Sequence, residues 1–220
     1  MHNRGYTINH KTVSKLMKAE GICCKVRIKK YRSYRGEQGK IAPNLLNRNF
    51  QSDKPLYRLV TDVTEFSLFG EKRYLSPVLD LFNGEIVCYS LCDRPVLDMV
   101  LEMERELVSH KGIVEGAILH SDQGWQYQHK SYQKLLEDNG ISQSMSRKGN
   151  CLDNSVMENF FGLLKSELLY LSDFKSIEEF EKELHQYIRY YNTVRIKSRL
   201  GGKSPIQYRE SYEKYNAYVI

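Results

Sequence analysis

The sequence predicts an α/β fold, a mixed five-stranded sheet with flanking helices, preceded by a small basic helical segment. Three consecutive runs rich in β-branched and aromatic residues, separated by turn signals, indicate three antiparallel strands. Two further apolar runs alternate with helical patterns and add two strands. The basic segment is indicated by charge, since residues 1–58 have a net charge of +11 and the remainder a net charge of −5.

Length and composition set the domain organisation. The 220 residues have room for one sizeable core and an appendage. We expect residues 1–54 to form the basic segment with a linker, and residues 55–220 the core with a C-terminal helical tail. No run is apolar and long enough for a membrane span, and the basic N-terminus is not a secretory signal, so a cytosolic protein is expected. The five cysteines have no spacing typical of zinc sites or disulfide frameworks.

The leading segment carries the charge that favours a polyanion partner. Residues 8–21 predict a short helix with one apolar and one basic face. Residues 24–40 interleave cations with tyrosines, a composition that suits nucleic acid but also occurs on solvated surfaces. The candidate DNA contacts in this stretch are Lys25, Arg27, Lys29, Lys30, Tyr31 and Arg32.

The elements of the core follow from the spacing of apolar residues and turn signals. Residues 41–54 are interpreted as a polar linker with a short helical piece around Leu45 and Leu46. Turns are predicted at Gly70-Glu71 and Asn83-Gly84. The predicted strands are residues 57–68, 72–81, 85–91, 117–120 and 141–145, and the predicted helices are Leu97–Ser109 and residues 131–138.

The next helix combines a core stripe with a polar edge. Its core stripe is Met157, Phe160, Phe161, Leu164 and Leu168. Glu158, Gly162 and Lys165 share a second stripe about 100° round the helix, given about 3.6 residues per turn. Either Asp153 or Asn154 is a suitable N-cap. The edge stripe can therefore bring a carboxylate to the sheet and a cation to a phosphate.

A last helix and a basic cluster close the chain. The capping-box signature at Ser176 predicts a helix that ends near Asn192. Arg195, Lys197 and Arg199 follow. We interpret this cluster as a solvated surface that can also touch DNA.

Three carboxylates lie in or beside apolar stretches, where an ionised group is costly unless it is paired. Asp62 lies inside an apolar run, Asp122 directly follows one, and Glu158 lies on the amphipathic helix. Converging carboxylates repel one another unless a cation joins them. Mg²⁺ and Mn²⁺ prefer oxygen ligands, and two such ions about 3.5 to 4 Å apart are a common device for displacement at phosphorus.

The words around these carboxylates resemble a known family. Residues 61–66 (TDVTEF), 120–127 (HSDQGWQY) and 144–154 (SMSRKGNCLDN) are similar to the second reading frame of insertion-sequence family three. The 35 residues between Asp122 and Glu158 resemble the aspartate, aspartate, glutamate (DDE) core of insertion-sequence transposases and retroviral integrases. The similarity runs from about Tyr6 to the C-terminus, and it implies a ribonuclease-H-like fold, which the order of the predicted elements also favours.

The resemblance implies metal-dependent DNA cleavage at transposon ends followed by strand transfer. Asp62, Asp122 and Glu158 would be the catalytic residues and the ligands of two Mg²⁺ or Mn²⁺ ions. Lys165, Arg147 and Lys148 would contact DNA. The implied partners are the terminal inverted repeats, target DNA and further copies of the chain. The resemblance also allows a fusion to, or joint action with, an upstream-frame helix-turn-helix protein.

Other residues near the carboxylates have plainer interpretations. Glu65 is expected on the opposite strand face from Asp62, in a structural role, and Asp80 is expected to be a turn acid. His120 can orient a water, although a packed histidine is the commoner case. Trp125 and Tyr127 are interpreted as loop anchors that also permit base stacking.

Two alternatives stay open at this point. One is a nuclease of the same fold that cuts without joining. The other is an inactive or truncated DNA-binding remnant, or a regulator of an insertion element. The remnant is favoured by an incomplete helix-turn-helix at residues 8–21 and by Leu59, which stands where the family usually has Trp.

Overall fold

One mixed sheet with helices on both faces forms the centre of the protein. The computed structural model describes residues 5, 8–22, 39–110 and 112–219. The strands are β1 (Arg58–Thr61), β2 (Thr64–Leu68), β3 (Glu71–Asp80), β4 (Ile86–Cys92), β5 (Ile118–Ser121) and β6 (Ser142–Met145). The helices are α1 (His10–Ala19), α2 (Leu97–Ser109), α3 (Lys130–Asp138), α4 (Ser155–Leu164), α5 (Ile177–Thr193) and α6 (Pro205–Val219).

The sheet has five strand positions, as predicted, although six strands fill them. β4 pairs with one edge of β3, and both β1 and β2 pair with the other edge, all antiparallel. β1 is also parallel to β5, and β5 is parallel to β6. The predicted strand over residues 57–68 is therefore interrupted at Asp62 and Val63. That interruption places Asp62 at a strand end instead of within a ladder.

Alternation along the strands builds two cores, one on each face of the sheet. Val60 packs with α4 and α5 in one core, and its neighbour Leu59 packs with α2 and α3 in the other. All five residues of the core stripe predicted for α4 are buried. The sheet is therefore covered on both faces, and its functional groups must emerge at the strand ends.

Local signals explain where several elements begin and end. The hairpin between β2 and β3 turns at Phe69 and Gly70, whose φ angles are 54° and 80°, as a two-residue hairpin turn requires. Ser176 caps α5, since its Oγ accepts a hydrogen bond from Glu179 N at 3.3 Å. Glu179 accepts from Lys175 N instead of from the cap residue, so only half of the predicted capping box forms.

The segment over residues 41–54 differs from its prediction as a linker with a helical piece. It makes a turn at residues 45–48 instead of a helix, and Leu46 is buried in the α4 side core. Leu45 N donates to Ser144 Oγ at 2.9 Å, and Met145 N donates to Pro43 O at 3.2 Å. This segment therefore packs against the core because its backbone groups continue the hydrogen bonding of β6.

The leading helix α1 forms as predicted but buries no residue. Leu16 and Met17 on its apolar face are 53% and 43% exposed. Within the described ranges, no helix is long and apolar enough to cross a membrane.

A buried acid on α2 gives the fold a measurable pH dependence. Glu104 is fully buried, and neither of its carboxyl oxygens has a hydrogen-bond partner among the described residues. Burial raises the pKa of Glu104 to about 9. The folded protein therefore keeps a proton on Glu104 that the unfolded chain releases at pH values above about 4.5.

We expect the stability of the wild type to fall as pH rises from about 5 to 9, because Glu104 binds more protons in the folded than in the unfolded state over that window. Glu104→Gln should flatten this dependence and raise the melting temperature at pH 8.5 more than at pH 5.5. Thermal denaturation at the two pH values measures it, with Glu106→Gln, an exposed change on the same helix, as control. Parallel curves for Glu104→Gln and wild type would contradict the assignment.

Candidate active site

Two aspartates meet at the ends of neighbouring parallel strands. The register of β1 and β5 places Val60 beside His120. Asp62 lies two residues after Val60, just past the end of β1, and Asp122 lies two residues after His120, just past the end of β5. Because adjacent strands are about 4.8 Å apart, the two carboxylates leave the sheet side by side.

Backbone amides orient both aspartates. Asp62 Oδ1 accepts a hydrogen bond from Val63 N at 2.8 Å, and Asp122 Oδ1 accepts one from Gly124 N at 2.7 Å. A Cβ on Gly124 would lie 2.9 Å from Asp122 Oδ1. Glycine at this position therefore leaves room for the carboxylate in its observed place.

The electrostatics of the pair favour a cation. Burial raises the pKa of Asp62 well above its ordinary value, and the charges of Asp122 and Glu158 raise it further. Burial likewise raises the pKa of Asp122. Two half-buried carboxylates that resist ionisation together are stabilised as anions when a cation lies between them. The donor set of carboxylate oxygens suits Mg²⁺ or Mn²⁺.

Glu158 lies beside this pair but is not joined to it. Its side chain is exposed on α4, and partial burial raises its pKa. Among the described residues, no three carboxylate, imidazole or thiol groups lie close enough together to hold a metal ion. The structure thus brings Asp62 and Asp122 together and leaves Glu158 near enough to perturb Asp62 electrostatically.

Asn154 is a site residue whose environment the sequence did not reveal. It occupies the N-cap position of α4, yet its side chain makes no capping hydrogen bond. The amide is buried, and neither of its polar atoms has a partner of ordinary hydrogen-bond geometry in the described part of the chain. It lies next to Asp62, where it lowers the pKa of that carboxyl. The sequence signal that could have indicated this environment is the position of Asn154 four residues before Glu158, since residues four apart lie on the same face of a helix.

Asp153 is an ion-pair anchor and not the helix cap that the sequence suggested. Its fully buried carboxylate accepts hydrogen bonds from the Arg147 backbone N at 3.0 Å and from the Arg147 guanidinium. Arg48 Nε and Asn44 Nδ2 donate to it at 2.8 and 3.1 Å. Arg147, first, and then Arg48 hold the pKa of Asp153 well below its ordinary value. The anchor fixes the turn that leads into α4.

His120 is packed, as the commoner interpretation predicted. It is fully buried, its Nε2 donates to Asp153 O at 3.0 Å, and its Nδ1 accepts from Ser144 Oγ at 2.7 Å. Burial lowers the pKa of His120, so the ring is neutral. Both ring nitrogens are occupied, and the residue acts as a spacer between β5 and the turn before α4.

Lys165 stands at the far end of the edge stripe of α4, where the helix passes into a wider π-helical turn over Lys165–Leu169. Its Nζ lies 5.5 Å from the centre of the Phe66 ring. Burial lowers the pKa of Lys165, while the charges of Glu65 and Asp62 oppose that change. A half-buried cation next to the aspartate pair is well placed for a phosphate.

The remaining candidate acids, Glu65 and Asp80, have structural roles. Glu65 binds Lys72 and Tyr74 at the sheet edge, as predicted. Asp80 accepts from the backbone N–H groups of Leu56 and Phe82, as a turn acid should, and burial raises its pKa to about 6.

The two loop aromatics differ. Tyr127 is buried, so it anchors the loop after β5 as predicted. Burial raises its pKa, and the charges of Asp62 and Asp122 raise it further. Trp125 is 41% exposed, so its prediction as an anchor is wrong. Its ring is available for contact from outside.

Comparison with known proteins decides the family. The integrase core domain matches the chain twice, over residues 52–151 and 158–212. The putative transposase InsK for insertion sequence element IS150 of Escherichia coli K12 is 51% identical over 209 residues, covering 95% of this chain and 74% of that protein. The chain belongs to the insertion-sequence transposases with an integrase core domain.

Two further comparisons agree with this membership. A transposase-like protein of Haemophilus influenzae is 51% identical over 204 residues, covering 92% of this chain and 93% of that protein. The HTLV-2 integrase catalytic core domain in complex with magnesium, in its trimeric form, superposes with a TM-score of 0.55 at 17% identity, covering 70% of this chain and 97% of that one. The likeness confirms the predicted ribonuclease-H-like fold for this transposase.

The candidate DNA contacts of this transposase fall in two groups. Arg147 and Lys148 are exposed on the loop between β6 and α4, although the Arg147 guanidinium is bound to Asp153. The candidates in the leading segment lie outside the described residues; they are Lys25, Arg27, Lys29, Lys30, Tyr31 and Arg32.

Asp153→Asn should lower the free energy of unfolding by about 1.5–3 kcal/mol at pH 7, the range for loss of hydrogen bonds to charged groups. The wild-type contribution is present above the ordinary aspartate pKa and is lost as pH falls through the lower folded value, so the difference should shrink in acid. Urea denaturation at pH 7 and pH 3 measures it. Asp138→Asn, an exposed change on α3, is the control; equal midpoints for both variants would refute the anchor.

Proposed function

We propose that this chain is the catalytic chain of a DDE polynucleotidyl transferase, with Asp62, Asp122 and Glu158 as its catalytic and metal-binding residues. The observation that carries the proposal is the half-buried pair of Asp62 and Asp122 at adjacent strand ends, each with a raised pKa. Such a pair is a poor design for stability alone and a good one for holding a divalent cation.

The proposed cofactor is a pair of Mg²⁺ or Mn²⁺ ions. Asp62 and Asp122 would hold it, and Glu158 would complete the ligand set by a change of side-chain rotamer on α4. Support comes from the carboxylate donor set and from the magnesium complex of the HTLV-2 integrase core. When bound, such ions activate an attacking oxygen and stabilise the leaving one at phosphorus.

The proposed reaction has two displacements at phosphorus. In the first, water attacks a phosphodiester at the transposon end, and the bond to the 3′ oxygen breaks to leave a 3′-hydroxyl. In the second, that hydroxyl attacks a phosphodiester of target DNA and forms a bond from the transposon 3′ oxygen to the target phosphorus, while the bond from that phosphorus to the target 3′ oxygen breaks and leaves a 3′-hydroxyl on the cut target strand. No covalent bond to the protein forms in either step.

The residues around the pair divide the supporting work. The backbone N–H groups of Val63 and Gly124 keep the aspartates pointing out of the sheet. Lys165 would contact a phosphate of the reacting strand, and the amide of Asn154 has free capacity for a water or a substrate oxygen next to Asp62. His120 has no such role, because both of its nitrogens are engaged.

The partners we propose are transposon terminal inverted repeats and target DNA, met in the cytosol. Arg147, Lys148 and the basic residues over 25–32 would contact the DNA backbone, with residues 1–54 as the DNA-gripping part and 55–220 as the catalytic part. We further propose assembly of several copies on paired ends, for which the trimeric form of the HTLV-2 core is a parallel, and fusion to or cooperation with an upstream-frame helix-turn-helix protein.

Leu59 was the residue that favoured an inactive remnant. It is fully buried in the core between the sheet and α2. The position is filled by a well-packed apolar side chain, and the aspartate three residues later keeps its backbone hydrogen bond. This packing supports an active enzyme over a remnant.

A cleavage and strand-transfer assay tests the proposed activity. Labelled DNA carrying the terminal repeat, with Mg²⁺ or Mn²⁺, should give cleaved and joined products with the wild type. Asp62→Asn, Asp122→Asn and Glu158→Gln should each lose activity by more than the roughly 10–100-fold that follows from changing a residue that only supports a metal ligand. Glu65→Gln, a nearby acid in a structural pair, should keep near wild-type activity. Full activity of any triad variant would remove that residue from the proposal. Cleavage without joining would support the nuclease alternative.

Metal binding can be measured without activity. Mg²⁺ or Mn²⁺ at about 100 times its dissociation constant should stabilise the wild type by about 2.7 kcal/mol. The double variant Asp62→Asn/Asp122→Asn should show no such gain, with NaCl at equal ionic strength as the salt control. Without metal, Asp62→Asn should melt at or above the wild-type temperature, because it removes one of two repelling carboxylates. Equal metal stabilisation of wild type and double variant would refute the metal site.

A further inference from the structure

A cleft on a different flank of α4 from Glu158 takes no part in the proposed chemistry. It has a volume of about 830 Å³ and lies between α4, residues 48–51, and the chain from the end of α5 to residue 199. This volume is typical of ligand-binding clefts.

Cations line this cleft, and carboxylates do not. Four basic residues face it, and no Asp or Glu occurs among the described residues of its lining. Arg48 and Arg195 are bound to carboxylates outside the lining. Lys197 and Arg199 have no carboxylate within ion-pair distance in the described ranges. The cleft therefore contains a lysine and an arginine that have no carboxylate partner among the described residues.

These two cations converge on one point. A Cβ on Gly84 would lie 2.5 Å from Lys197 Nζ and 2.8 Å from Arg199 Nη2. Lys197 Nζ donates to Gly84 O at 3.1 Å and to Tyr191 Oη at 2.6 Å, which leaves its third N–H for another acceptor. Arg199 is exposed, and no hydrogen bond within the described structure occupies its guanidinium.

The convergence is unfavourable without an anion. Burial, and then the charges of Arg199 and Arg195, lower the pKa of Lys197 to about 7. Desolvated like charges destabilise one another unless an anion lies between them. A phosphate group supplies acceptor oxygens and negative charge together, and Arg and Lys are the side chains that bind it best.

We propose that this cleft binds the sugar-phosphate backbone of a DNA strand, with Lys197 and Arg199 contacting its phosphates, at a site separate from the catalytic carboxylates. The choice of DNA as the ligand rests on the proposed function. Asn159 lines the cleft and lies about 100° round α4 from Glu158, since each residue of a helix turns by about that angle. A strand that crosses the first turns of α4 passes from one site to the other.

Apolar side chains of the cleft suit the rest of a nucleotide. Ile196 is 59% exposed in the lining, and Phe50 also lines the cleft. Exposed apolar groups beside cations are what a sugar or an unstacked base contacts in single-strand sites. An isolated inorganic anion would leave these groups unused.

Salt-dependent DNA binding by the full chain tests the site. The probe is a fluorescein-labelled 25-base-pair duplex carrying the terminal repeat, measured by anisotropy in EDTA between 50 and 200 mM NaCl. Lys197→Gln/Arg199→Gln should weaken binding by at least about tenfold and reduce the slope of log K against log salt by about 1.8, for two phosphate contacts. The matched control is Arg105→Gln/Lys134→Gln, the same charge change on α2 and α3 across the sheet, which should leave the slope unchanged.

A single variant separates binding from folding. Arg199→Gln breaks no hydrogen bond of the described structure, so its melting temperature should equal that of the wild type while the slope falls by about 0.9. A slope equal to that of the matched control, for the double variant or for Arg199→Gln, would overturn the proposal.

Failure of this proposal and failure of the proposed function give different results. If the wild type is active but DNA binding does not change when Lys197 and Arg199 are replaced, only the proposed cleft site is refuted. If the wild type is inactive but replacing both residues weakens DNA binding, the cleft site is supported and the proposed catalytic function is refuted.

Discussion

The parallel pairing of β1 with β5 is the constraint on which the site depends. It sets two strand ends side by side, and each end continues into an aspartate. Burial and mutual repulsion oppose the ionisation of both groups, so the sheet must keep together two side chains that would separate if free. The hydrogen bonds of the ladder and the packing of both cores supply that force. The sheet therefore holds the two repelling carboxylates in place, and a cation bound between them relieves the repulsion while both stay ionised.

Asp153 connects this sheet to the helix that carries the third carboxylate. Its bonds reach Arg48 in the segment before the sheet and Arg147 in the loop after β6, and its own carbonyl accepts from His120 on β5. Three separate parts of the chain thus meet at Asp153: the segment before the sheet, β5, and the loop between β6 and α4. Because Glu158 is exposed and unattached, its approach to the pair is set by the position of its helix and by its own rotamer. The anchor fixes the first and leaves the second free.

Much of this arrangement was predictable, and the exceptions have physical causes. The strands, the α4 core stripe and the packed His120 follow from periodicity and from local apolar character. Asp153 and Asn154 were not separable in sequence, since both are good N-cap residues; only the arginines that meet Asp153 in space distinguish them. Residues 41–54 contain few apolar side chains, so the burial of Leu46 and the backbone hydrogen bonds to β6 could not be predicted from apolar spacing. Lys197 was interpreted as a surface cation because most of its sequence neighbours are polar or basic. The groups that its Nζ contacts, Gly84 O and Tyr191 Oη, meet it only in the folded structure.

The helix α4 divides two opposite electrostatic environments. On one flank lie Asp62, Asp122 and Glu158, whose pKa values are all raised by burial. On another lie Lys197 and Arg199, where burial and neighbouring cations lower the lysine pKa. Each environment is destabilising by itself, and each is relieved by a ligand of opposite charge. DNA with bound divalent cations carries both kinds of charge along one strand. A single strand lying across α4 would therefore stabilise both flanks together, which ties substrate position at the carboxylates to the grip of the cationic cleft.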